Sequence, residues 1–183
     1  MSRLRLFFAL WPDDETRRAL AEAARPLLEA CRGRPVPANN YHLTLNFLGG
    51  VETAGLEAIR VAAAGLRATP FELKVDCHGH WPKPGVAWLG CRQTPPAAGA
   101  LARTLDAALE PLGFKPDPRP FRPHLTVLRD CRRCDWDGSP VTVGWRVEDF
   151  ALVKSETLES GPRYELLERW PLAGLQSAPN DWK

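Results

Sequence analysis

Alternating apolar positions mark short strands along this chain, and longer alanine- and leucine-rich stretches mark helices between them. Arg5 to Leu10 reads as a strand, and the "WPDDE" that follows carries proline and acidic helix-start signals, so a helix is predicted through about Cys31. "GRPVPANN" reads as a loop. Tyr41 to Leu48 is a second strand, stopped by Gly49-Gly50, and a helix is predicted over about Thr53 to Leu66. "FELKVDC" alternates as a strand, "GHWPKPG" turns, and "VAWLGC" returns as its neighbour. A third helix spans about Ala97 to Leu112. The proline-rich "GFKPDPRPFRP" makes an extended approach to the strand in "PHLTVLR", because residues before proline avoid the helical region. After a loop over "RDCRRCDWDGSP", strands are predicted near Trp145 to Lys154 and Tyr164 to Trp170, and the last ten or so residues read as a frayed tail.

This order of hairpin-like strands and interspersed helices predicts an α+β fold with antiparallel sheets covered by helices. One polar pair recurs. In "YHLTLNF" and in "PHLTVLR" a histidine and a threonine stand two residues apart inside an apolar run, so His42 and Thr44 share one strand face, as do His124 and Thr126. The two strands occupy comparable places in the two halves. The expectation is a pair of pseudo-twofold-related lobes with a central cleft carrying both H-x-T-x motifs. They form a single bilobal domain over residues 1–175, followed by a polar tail over 176–183.

Composition narrows the class. The chain has 183 residues, 44% apolar and 25% charged, which suits one packed core and excludes disorder over most of its length. No apolar run approaches the roughly 20 residues that span a bilayer. The apolar start of "MSRLRLFFALWPDDE" breaks at Pro12 without a cleavage site, so it is no signal peptide and a cytoplasmic protein is expected, with no membrane partner and as a monomer. A net charge of +2 is too small for gripping long nucleic acid by its phosphates, although a local basic site fits. Five cysteines, an odd number, argue against a disulfide framework. Cys131 and Cys134 form a C-x-x-C, but Cys77, His78 and His80 lie far off in sequence, so no metal site and no cofactor are assigned.

With only four histidines in the chain, two H-x-T matches exceed what chance supplies. Histidine is the side chain that is neutral or protonated near physiological pH, so two facing imidazoles make a base and an acid. Hydrolysis of a phosphodiester uses that pair: one imidazole takes a proton from water and the other gives one to the departing alkoxide. Two threonine hydroxyls on the same faces are donors for the non-bridging oxygens.

These residues resemble the two-histidine phosphoesterase superfamily, and within it the bacterial and archaeal RNA 2′,3′-cyclic phosphodiesterases, also called 2′-5′ RNA ligases. The resemblance runs over nearly the whole chain, through "RLFFAL", "NNYHLTLNFLG", "AWLGCRQ", "RPFRPHLTVLRD" and "SETLESGPRYELLERWPL". It implies metal-independent opening of an RNA terminal 2′,3′-cyclic phosphate to a 2′-phosphate, with RNA 3′ ends or nucleoside cyclic phosphates as partners. By position it implies His42 as proton donor to the leaving 3′-oxygen, His124 as the acceptor that activates water, and Thr44 and Thr126 as phosphate-binding threonines. Arg129 matches the arginine that ends the second motif. Its parity is odd relative to His124, so it reaches the site only if the strand bulges or ends near Leu128. For base recognition Phe7, Phe47, Phe121, Trp81 and Tyr164 are all candidates, and the sequence does not choose among them. The competing readings are 2′-5′ ligation or a small cyclic-nucleotide phosphodiesterase using the same site, and a non-enzymatic nucleotide or RNA-end binding module.

Overall fold

A computed structural model of the chain describes residues 3–136, 138, 140–158 and 161–173. The predicted tail over 176–183 lies outside the described residues. The strands in chain order are β1 (Arg3–Leu10), β2 (Cys31–Pro35), β3 (Leu43–Glu52), β4 (Phe71–Val75), β5 (Cys77–Trp81), β6 (Val86–Gly90), β7 (His124–Cys134), β8 (Val143–Val147), β9 (Asp149–Leu158) and β10 (Gly161–Pro171). Three helices, α1 (Asp14–Ala30), α2 (Leu56–Ala64) and α3 (Pro96–Leu109), fall where the apolar periodicity put them. Asp13 caps α1 by accepting a 2.7 Å bond from the Thr16 backbone N–H, which is why the chain turns into helix directly after "WPD".

The fold is α+β with antiparallel sheets. Seven strands run β10-β9-β1-β3-β7-β6-β5, with β2 added along β7, and β4 pairs β8 in a separate two-stranded sheet. Alternation in β1 divides the packing. Leu6, Phe8 and Leu10 enter the main core with Leu20, Ala24 and Leu27 of α1 and with Leu101, Leu105 and Leu109 of α3. Phe7, Ala9 and Trp11 face the other way and make a small cluster with Ala151, Val153 and Tyr164. One sheet face is therefore helix-covered and the other lines a cleft.

Three expectations need correction. "CRGRP" pairs with β7 as β2 rather than looping, because β7 continues to Cys134 and offers its edge; polar, mostly exposed residues hid that strand from a hydrophobicity reading. The same extension replaces much of the loop expected over "RDCRRCDWDGSP". "CHGHW" is likewise a strand, β5, and it takes the place beside β6 expected for β4. β4 pairs instead with β8, where Phe71, Leu73 and Val75 match the buried alternation of Val143, Trp145 and Val147. Finally, Cys31 and Cys134 are joined as a disulfide, because the β2–β7 register places them directly opposite each other.

Candidate active site

β3 and β7 touch through a single ladder pair, Leu43 opposite Leu125. Both leucines are buried in the core. In an antiparallel ladder the residues flanking such a pair project to the opposite face, so His42 stands across from Thr126 and Thr44 across from His124. A twofold axis through the leucine pair exchanges the two motifs. Diagonal partners in such a ladder have Cβ atoms about 7 Å apart, which leaves room between the imidazoles for one tetrahedral phosphate. Beyond this pair β7 turns to β2 on one edge and β6 on the other, and β3 turns to β1, so the half-sheets part and the cleft opens.

Each imidazole is oriented in the same way. Nδ1 of His42 lies 2.7 Å from the Asn40 carbonyl, and Nδ1 of His124 lies 2.9 Å from the Arg122 carbonyl. A carbonyl oxygen only accepts, so both Nδ1 atoms carry hydrogen and both Nε2 atoms are left for the cleft. The rings sit in aromatic walls. His42 stacks on Trp11 at 5.2 Å and meets Phe7 at 5.0 Å and Tyr164 at 5.1 Å. The edge of Trp81 approaches His124 at 4.8 Å, and Trp81 leans on Trp88 at 5.0 Å. Trp88 in turn lies over Gly79 and Gly90, where a Cβ would collide with its ring. Those two glycines let the indole pair press against His124.

Burial makes charging costly for both histidines. It pushes His42 down to about 4, helped by the positive Arg129 and by His124, against the opposing bond to the Asn40 carbonyl. It lowers His124 as well, with the Arg122 carbonyl opposing. Without an anion in the cleft the pair is neutral at pH 7.

Arg129 reaches this face through a bulge. β6 pairs Trp88 with Thr126 but Ala87 with Leu128, so β7 carries one extra residue there. Val127 and Leu128 both enter the core, and the parity is restored at Arg129. Its Nε is buried without a hydrogen-bond partner, an orphaned donor of the kind an anion satisfies. β3 bulges at the matching place: β1 pairs Ala9 with Thr44 but Phe8 with Asn46, and Leu45 and Asn46 are both buried. Asn46 donates to Asp106 at 2.6 Å and to the Ala102 carbonyl at 3.3 Å, tying the bulge to α3.

The structure thus brings His42, Thr44, His124, Thr126 and Arg129 to one cleft. Of the aromatic candidates, Phe7, Tyr164 and Trp81 line it next to the histidines, Phe121 packs against the main core, and Phe47 lies farther along β3. Trp11 was missed, although its parity with Phe7 and Ala9 on β1 was a usable signal. Among the described residues, Cys31, Cys131 and Cys134 bring their sulfurs within 4.8 Å of one another, on β2 and β7, and are the group whose donor atoms could hold a soft metal ion. They sit in or against the main core rather than on the cleft, and two of them are spent in the disulfide. A shallow groove of about 600 Å³ between α1 and β8, with Glu22 and Trp136 in its walls, is separate from the histidines. No helix among the described residues is long and apolar enough to cross a membrane.

Comparison with known proteins agrees with this geometry. A family model described as LigT-like phosphoesterase matches residues 10–88 and again 89–164, one histidine strand in each segment. The chain is 36% identical to an Escherichia coli protein named RNA 2′,3′-cyclic phosphodiesterase, over 92% of this chain and 96% of that one. It is 35% identical to a Thermus thermophilus protein of the same name, over 93% and 91%. The crystal structure of Escherichia coli LigT complexed with 3′-AMP superposes with a TM-score of 0.84 at 35% identity, covering 93% of this chain and 99% of that one.

Proposed function

The chain belongs to the LigT-like phosphoesterase family, and from that premise we propose that it opens RNA terminal 2′,3′-cyclic phosphates to 2′-phosphates by metal-independent acid–base catalysis. The observation that carries the reading is the pairing of His42 and Thr44 with Thr126 and His124 around one ladder pair. The phosphate lies between the two imidazoles, with its non-bridging oxygens on the threonine hydroxyls and the Arg129 guanidinium. Nε2 of His124 takes a proton from water as the water oxygen bonds to phosphorus. The bond from phosphorus to the 3′-oxygen breaks, and Nε2–H of His42 protonates that oxygen. The products are a 2′-phosphate and a 3′-hydroxyl.

This assignment sets a condition. His42 is the more strongly depressed of the two, so in the empty cleft the pair's first proton goes to His124. Donation from His42 requires that the incoming anion draw the proton across, which a negative charge beside its Nε2 does by favouring the imidazolium. The near-symmetry of the site makes product regiochemistry the sensitive readout. Phosphorus NMR of a turned-over nucleoside 2′,3′-cyclic phosphate is expected to show the 2′-phosphate alone. A 3′-phosphate product would exchange the two histidine roles. Tight binding without turnover would reduce the protein to an RNA-end binding module.

A further inference from the structure

Phe47 is 56% exposed, while its register partner Phe7 is 3% exposed. The bulge at Leu45 and Asn46 turns the Phe47 ring to the cleft face, beside the strand that holds Phe7 against His42. The Arg5 guanidinium lies over it at 4.8 Å, and a Cβ at Gly49 would meet its Cε1 at 3.8 Å. Arg5 pairs with Gly50 and Ser155, two residues before Phe7 on β1, so this platform continues the cleft beyond the ring cluster around His42. An exposed aromatic face backed by a cation suits a nucleobase, which offers its own π-face while its backbone phosphate is drawn by the arginine.

We infer that Arg5 and Phe47 form a stacking subsite for the nucleobase that precedes the cyclic-phosphate nucleotide, so that RNA ends of two or more nucleotides are preferred over mononucleosides. The inference rests on the phosphodiesterase reading above. The terminal nucleotide has its own aromatic surfaces in Phe7, Trp11, Tyr164 and Trp81, next to the histidines. Phe47, across the ladder from Phe7, makes none of these ring contacts and stays open to solvent. Position for position after the two motifs, Phe47 is also the counterpart of Arg129. One half of the cleft extends past the central phosphate with a cation, and the other with a cation-backed ring.

The test compares a dinucleotide ending in a 2′,3′-cyclic phosphate with the corresponding mononucleoside 2′,3′-cyclic phosphate, using the wild type, Phe47→Ala and Phe47→Tyr. Loss of one stacked base is expected to raise KM for the dinucleotide about 5- to 150-fold in Phe47→Ala at unchanged kcat. Phe47→Tyr is expected to restore it, and the mononucleoside constants should be alike in all three proteins. An unchanged dinucleotide KM in Phe47→Ala, or an equal rise for both substrates, would overturn the subsite. Calorimetric binding of a dinucleotide 2′-phosphate reads the subsite without turnover. A matching loss of affinity in Phe47→Ala supports it even if the phosphodiesterase reading fails, and equal affinity overturns it.

Discussion

β3 and β7 carry the same His-Leu-Thr run, bulge at the same two positions after it, and then diverge. After the bulge β3 reaches Phe47, and β7 reaches Arg129. Up to the bulge, the symmetry gives two equivalent imidazoles with the same tautomer, each set by the carbonyl two residues earlier. Equivalent groups do not by themselves make an acid and a base. The asymmetry comes from what surrounds them. His42 is the more enclosed and feels Arg129, whereas His124 has Trp81 at its edge and keeps the higher proton affinity. Symmetry here builds the pair, and the divergent neighbours separate the two proton affinities.

The most damaging way to break this comparison is to remove either imidazole. His42→Ala and His124→Ala are each expected to lose about 10²- to 10⁴-fold in kcat, because each deletes one proton transfer. The double variant should lose little more than the worse single one, since groups acting as a unit are strongly non-additive. Steady-state kinetics with a nucleoside 2′,3′-cyclic phosphate checks both statements, and near-normal turnover in either single variant would remove the two-histidine account. Arg129→Ala removes the cation that β3 lacks. Loss of a charge-assisted bond of about 1.5 to 3 kcal/mol predicts a fall of about 10- to 150-fold in kcat/KM. Wild-type kinetics would return Arg129 to the role of a solvated strand residue. Thr44→Val and Thr126→Val probe the symmetric part, and each is expected to cost about tenfold in kcat/KM, by similar amounts. A loss confined to one of them would mean that the phosphate sits off the axis. The smallest effect is expected from exhaustive chelation, which should leave the rate unchanged. Activity lost to chelator and restored by a divalent ion would contradict direct imidazole catalysis and turn attention to Cys31, Cys131 and Cys134.

Much of this was legible in the sequence because it rests on period and repetition. Alternation located β1, β3 and the start of β7, and the repeated histidine and threonine picked out the two strands that meet at Leu43 and Leu125. The need for a bulge before Arg129 followed from parity alone, and the register supplies one at Val127 and Leu128. Long-range pairing was not legible. β2 and β5 are short, polar and glycine-containing, so they exist as strands only because a neighbour offers an edge, and no local signal announces that. The partner exchange between β4, β6 and β8 has the same origin. Cys31 and Cys134 could not be paired from the sequence, because their contact depends on β2 being recognised as a strand.

The pH dependence of kcat/KM for a nucleoside 2′,3′-cyclic phosphate, measured in the presence of chelator, tests the central claim most directly. This quantity reports ionisations of the unliganded protein, and turnover requires the histidine pair to hold one proton. Burial lowers both groups, so the singly protonated pair is most abundant between about 4, the value of His42, and the lowered value of His124, below 6.5. Below that window both imidazoles are protonated and no base remains, and above it neither is and no acid remains. The account predicts a bell with its maximum on the acid side of pH 6.5 and a tenfold fall per pH unit on the alkaline limb. A flat profile from pH 5 to 9, or a rate that rises towards alkaline pH, would contradict it.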